Sequence, residues 1–306
     1  MLRYAVKRIA QLIPLLFLVS VVVFLMVRII PGDPVALLMG EGMPADTMEY
    51  ERERLGLNDP LYVQYVRYIR DIFQGNLGES IRTGESVAEA LSERFPRTLA
   101  LAAGGTLLGS AIGILMGIAA AVHHNRMTDN IISVTSLLAV STPSFFLSFI
   151  LLLIFCVNLK WLPSLGLQSF RHAILPIVVL GTHAVGFISR TTRSSMLDVI
   201  NQDYIRTSRS RGVPKRVIVY SHALKNALIP VLTAVGLRFG SLLAGAALVE
   251  SVFSIPGVGK YLVDAVGNRD YPVIQSTILL LATMFVVVNT VIDLLYAVVD
   301  PRLKYD

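Results

Sequence analysis

Six apolar runs, each near the ~20 residues a helix needs to cross a bilayer core, set the terms for this chain. They cover residues 9–30, 98–122, 131–157, 173–189, 228–249 and 273–299. The fourth is interrupted by Pro176 and His183. With 54% hydrophobic and only 16% charged residues, the chain lacks the polar groups needed to cover a soluble domain. The expected fold is therefore all-α, a polytopic membrane protein with six transmembrane helices. Arg3, Lys7 and Arg8 precede the first run in the manner of a signal peptide. That run is long for such a segment and no small-residue cleavage site follows, so it reads as a retained span.

Charge distribution sets the orientation. The net charge is +6, but the bases collect in short loops. The stretch 190–225 holds eight Lys and Arg residues against Asp198 and Asp203, whereas the long loop 31–97 holds twelve acids against seven arginines. Basic short loops stay on the cytoplasmic side. Both termini and the basic stretch then lie in the cytoplasm, and the excess charge is a topology signal, not a nucleic-acid footprint. The divisions expected are a first helix over 1–30, an external loop over 31–97, a five-helix core over 98–299 and a tail over 300–306. Within the external loop, apolar positions between Leu61 and Phe73 predict an amphipathic helix on the membrane surface or on the protein's own top. Ser86 and Glu89 predict the cap of a helix ending near Pro96.

Gly105, Gly109, Gly113 and Gly117 recur every four residues in the second span. Such a stripe lets another helix approach closely; the partner is either a helix of the same bundle or a second subunit. Gly236, Gly240 and Ala244 repeat the pattern in the fifth span. Pro143 and Pro176 each remove a backbone donor and are expected to kink their helices.

The basic segment 203–227 reads as two short helices at an angle. Gly212 suits a left-handed helix end, and Pro214 suits the first turn of the next helix. Pro230 then marks entry into the fifth span. A loop that only fixed orientation would explain the charge, but not the Gly-x-Pro break or the apolar Val217, Ile218, Ala223 and Leu224.

Ionisable groups at membrane depth usually face a bundle interior or a wet cavity. Arg28 stands close enough to a span end to snorkel. Arg238 stands mid-helix, either facing a translocation path or paired with Asp293. The segment 254–262, SIPGVGKYL, predicts a re-entrant or surface turn at the external mouth. His123 and His124 point different ways on a helix end and lack a third ligand, so no metal site is expected. The isolated Cys156 supports neither a disulfide nor a zinc site. No nucleophile–base pair stands out, and no G-x-x-x-x-G-K-[ST] loop is present to cradle ATP.

Across its whole length the chain resembles the permeases of binding-protein-dependent ABC importers, in particular the dipeptide, oligopeptide, glutathione and nickel group. The resemblance is carried by PGDP (31–34), TRSSMLDV (192–199), DYIRTSRSRG (203–212), HALKNALIPV (222–231), VESVFSIPGVGKYLVDAVGNRDYPVIQ (249–275) and VVDPRL (298–303). It implies the transmembrane domain of a type I importer, a heterodimer with a second homologous permease, cytoplasmic ATPase chains that hold the ATP and Mg, an external solute-binding protein and surrounding membrane lipid. It implies no cofactor on this chain and no chemistry of its own. The resemblance makes 203–227 the coupling segment, with Asp203, Arg206, Thr207, Ser208, Arg211, Gly212 and His222 at the ATPase contact. The chain departs from the general Glu-Ala-Ala-x-x-x-Gly consensus: Arg206, Thr207 and Ser208 precede Gly212, so a glutamate contact does not carry over.

Overall fold

The computed structural model describes residues 2–29, 35, 44–54 and 56–299. The tail 300–306 and the PGDP stretch fall outside them. The described residues build twelve helices: α1 (Leu2–Ile29), α2 (Ala45–Arg54), α3 (Leu61–Phe73), α4 (Val87–Val122), α5 (Met127–Ser141), α6 (Ser144–Leu151), α7 (Phe170–Ile200), α8 (Asp203–Ser210), α9 (Lys215–Gly245), α10 (Ala247–Val252), α11 (Val258–Asn268) and α12 (Tyr271–Val299). A π-helical turn, Leu152–Asn158, extends α6. Five helices are long and apolar enough to cross a membrane, and α5 with α6 forms a sixth, bent unit.

The bundle is organised around α4 and α7, which meet along the glycine stripe. A Cβ on Gly105 would stand 2.8 Å from Leu180 Cβ, one on Gly109 2.3 Å from Ala184 Cβ, and one on Gly117 2.5 Å from Thr192 Cβ. Only hydrogen fits at those positions, so the two backbones approach as closely as packing allows. The register rises in the same direction on both helices, so α4 and α7 run parallel. The chain between them must therefore cross the membrane once, and the bent α5–α6 unit supplies that crossing. Gly236 meets Ile292 and Gly240 meets Phe285 in the opposite sense, as expected of successive antiparallel spans. Leu101, Leu175, Val179, Leu243, Val249 and Phe253 fill the core where α4, α7, α9 and α10 converge.

The third span departs from a kinked helix. Its halves meet at 99°, because Pro143 has no N–H and forces Thr142 into extended backbone (ψ 121°). Pro96 does not end a helix, and α4 runs through it for 36 residues, about 54 Å at 1.5 Å per residue. That exceeds the ~30 Å bilayer core, so the first turns project outward. Pro96 lies there on an exposed face, where water can serve the carbonyl it leaves unpaired. Pro230 likewise lies inside α9, so the second helix of the hairpin is not short. It continues from Lys215 through a π-helical stretch, Ile218–Ala223, into the fifth span.

In the external loop α3 has the predicted bounds but rests against α1. Tyr65 packs edge-on to Phe17 and Phe24, and its hydroxyl lies 2.7 Å from Ser20 Oγ. Arg28 remains exposed while it is tethered to the protein. It donates to Gln64 Oε1 at 2.8 Å and to the Phe24 carbonyl at 3.0 Å.

Candidate functional site

The cytoplasmic hairpin is two-faced. Ile205 of α8 is fully buried among Ile118, Met196, Ile218, Val219, Ala223 and Ala227, which pins the short helix to the ends of α4, α7 and α9. The opposite face is open: the Asp203 and Arg206 side chains are 97% and 71% exposed, with a loose 3.7 Å pair between them. Thr207, Arg209, Arg211, Lys215 and Arg216 are exposed as well. Gly212 adopts φ +71° with no atom within 4 Å of a notional Cβ; the left-handed turn itself, not crowding, calls for glycine. Pro214 caps the start of α9 instead of lying in its first turn.

The seven residues expected at the ATPase contact divide into two sets. Asp203, Arg206, Thr207, Arg211 and Gly212 share the exposed surface. Ser208 and His222 are half-buried and brace the hairpin from behind, with Ser208 Oγ 3.3 Å from His222 Nδ1. A second brace the sequence reading did not name joins Asn226 Nδ2 to the Tyr204 hydroxyl at 2.7 Å.

In the membrane interior, the Arg238 guanidinium lies over the Phe187 ring of α7, 4.2 Å from its centroid. Its buried Nε has no hydrogen-bond partner among the described residues. The backbone of Asp293 lies on α12, but its side chain is outside the described residues, so an Arg238–Asp293 pair has no geometry here. His183, one turn before Phe187, buries its Nε2 without a hydrogen-bond partner among the described residues.

The external mouth is built on a buried acid. Glu250, with no exposed surface, accepts from the Thr98 hydroxyl at 2.6 Å and from Lys260 N–H at 2.9 Å. Thr98 Oγ1 in turn accepts from Val258 N–H, so its own proton is committed to the carboxylate. Glu250 thereby caps the N-terminus of α11, a favourable place for an acid. Burial pushes its carboxyl above the ordinary glutamate range, against the Thr98 and backbone donors that hold it down. Gly257 is sterically required, since a Cβ there would fall 2.4 Å from the carboxylate. Thus SIPGVGKYL is a partly buried turn and helix start, with Ser254 and Pro256 at the surface, further tied to α4 by Arg97 donating to the Pro256 carbonyl at 3.1 Å. Nearby, Asp270 accepts from Ser80 Oγ at 2.5 Å and from Ile81 N–H at 3.2 Å. Arg94 covers the Tyr261 ring, and burial raises that hydroxyl above the ordinary tyrosine range.

A cytoplasmic node escaped the sequence reading. Asp129, 2% exposed, takes a two-pronged contact from Arg193 (2.5 and 2.7 Å) and a hydrogen bond from Asn125 N–H. His124 Nδ1 lies 3.1 Å from the same carboxylate. This joins the α4–α5 turn to α7 and engages the His124 ring. Among the described residues no group of three or more His, Cys, Asp or Glu is placed to hold one.

The family described as binding-protein-dependent transport system inner membrane component matches residues 113–305, and its N-terminal companion matches 1–102. The glutathione transport system permease protein GsiC of Salmonella paratyphi A is 44% identical over 305 residues, covering 100% of both chains. The di/tripeptide transport system permease protein DppB of Pseudomonas aeruginosa is 42% identical, covering 100% of this chain and 99% of its own. Among solved structures, the inward-facing MetNI methionine ABC transporter superposes with a TM-score of 0.59 at 23% identity, over 69% of this chain and 96% of that one. An amino acid ABC transporter gives 0.52 at 16% identity, over 70% of this chain and 94% of that one. These two carry the fold, and the sequence relatives carry the family. The chain belongs to the binding-protein-dependent transport family, as a multi-pass inner-membrane permease subunit of an ABC importer.

Proposed function

We propose that this permease carries short peptides, glutathione-like tripeptides among them, and that its cytoplasmic hairpin is the lever through which a separate ATPase drives it. The hairpin carries the second half of the proposal. One face of α8 is locked to three spanning helices through Ile205, while the other presents exposed cations to the cytoplasm. A force applied to the exposed face is transmitted as a rigid-body movement to α4, α7 and α9, the kind of motion that switches access. The cations give the encounter its register more than its strength. The substrate class rests on the relatives, named for glutathione and for di/tripeptides.

In this reading ATP and Mg sit on the ATPase chains, a second permease completes the path, and a solute-binding protein delivers cargo to the external mouth built on Glu250 and α11. The test is purification of tagged chain in mild detergent, with mass spectrometry of its companions, for wild type and Gly212→Val. Wild type should bring P-loop ATPases and a second permease, and the variant should lose the ATPases. A chain that purifies alone would end the proposal.

A further inference from the structure

Inside the bundle, the buried Nε of Arg238 has no hydrogen-bond partner among the described residues, and the Asp293 side chain lies outside them. Arg238 is eleven positions into the apolar run 228–249 and His183 eleven into 173–189, each about 15 Å into the ~30 Å core at 1.5 Å per residue. His183 and Phe187 stand one turn apart on α7. Arg238 stacks on Phe187 and its Nε is unpaired among the described residues. Lipid is an expensive neighbour for a guanidinium at that depth, so the half-buried Arg238 faces a wet or protein-lined space.

Phe187 also borders a pocket of about 590 Å³ with Arg190, Thr191 and Ser194 along one stripe of α7, a size typical of small-molecule sites. His183, Phe187, Thr191 and Ser194 recur at three- and four-residue spacing and so share a helix face. Arg193, at the far edge, is already occupied by Asp129, whereas Arg190 is exposed.

We infer that Arg238, held over the Phe187 ring, is a carboxylate-reading station at mid-membrane, and that the α7 stripe leads from it to Arg190 as the next cation on the way in. The planar guanidinium suits two-pronged contact with a carboxylate while its face rests on an aromatic ring. Every linear peptide with a free C-terminus brings that group, whatever its side chains. The station would therefore read the one feature common to a mixed peptide pool. The inference rests on the proposed peptide function.

The experiment uses the whole purified complex in proteoliposomes, with ATP inside and binding protein outside. Uptake of a tripeptide is compared with uptake of its C-terminal amide, both saturating the binding protein. For Arg238→Gln the free-acid-to-amide uptake ratio should fall at least about tenfold from wild type, the scale of one charge-assisted hydrogen bond. Arg238→Lys, which keeps charge but not the fork, should fall less. Binding-protein preference enters wild type and variant alike and cancels in the comparison. If free acid and amide fall together, or neither falls, the station is overturned; a joint fall would point to a carboxylate of the partner permease. Should Arg238→Gln fail to assemble, Phe187→Leu leaves the charge and carries the same ratio test. No ATP-driven uptake of either peptide by wild type would instead count against the peptide function itself.

Discussion

The two Gly- and Pro-bearing breaks of this chain, at the external mouth and at the cytoplasmic hairpin, need glycine for opposite reasons. Gly257 has ordinary backbone (φ −103°) and no room, because the Glu250 carboxylate fills the place of its Cβ. Gly212 has ample room and a backbone that other residues adopt at a cost. The external break is a closed structural joint in which Glu250, Thr98 and the Val258 and Lys260 N–H groups satisfy one another. The cytoplasmic break is an open elbow whose outer surface finds few partners within the chain. On the proposed function, the mouth that anchors and the elbow that projects would be the two ends of a lever.

Four substitutions order that contrast by size. Gly257→Leu should be most damaging, costing about 3 kcal/mol or more through overpacking against Glu250. An unfolding titration in detergent would show it; an unaffected midpoint would mean the joint yields. Glu250→Ala should cost about 2 kcal/mol, since it strands the Thr98 hydroxyl and the Lys260 N–H, and Glu250→Gln should recover much of this loss. Gly212→Ala should cost about 1 kcal/mol from backbone strain alone, and Gly212→Asn less, because asparagine tolerates left-handed backbone. Arg206→Glu should leave stability within about 0.5 kcal/mol yet reduce ATPase co-purification, separating function from fold where the first three cannot.

Local signals were readable and distant ones were not. The spans, α3 and the left-handed Gly212 follow from periodicity and turn chemistry within a few residues. Pro96 and Pro230 were misread as boundaries because a proline on an exposed helix face costs less than one in a packed interior, and exposure is a tertiary property. Thr98 and Glu250 stand 152 residues apart, and Asp129 and Arg193 stand 64 apart. Neither pairing has a sequence-local signature. Arg193 looked like one more topology charge until the fold gave it a buried acid. Ser208 and His222 lie in the recognised segment, yet which of its residues face outward depends on where Ile205 is pinned.

The most direct test of the lever is a cysteine on its open face. In a Cys156→Ser background, Thr207→Cys on the hairpin and Arg269→Cys at the external end of α11 would each be treated with a short bifunctional thiol-to-amine cross-linker in inside-out and right-side-out vesicles. The account predicts that Thr207→Cys links to a P-loop ATPase and that the link stops ATP-driven uptake, while Arg269→Cys links to none. Thr207→Cys that captures no ATPase, in a complex that still transports, would contradict it.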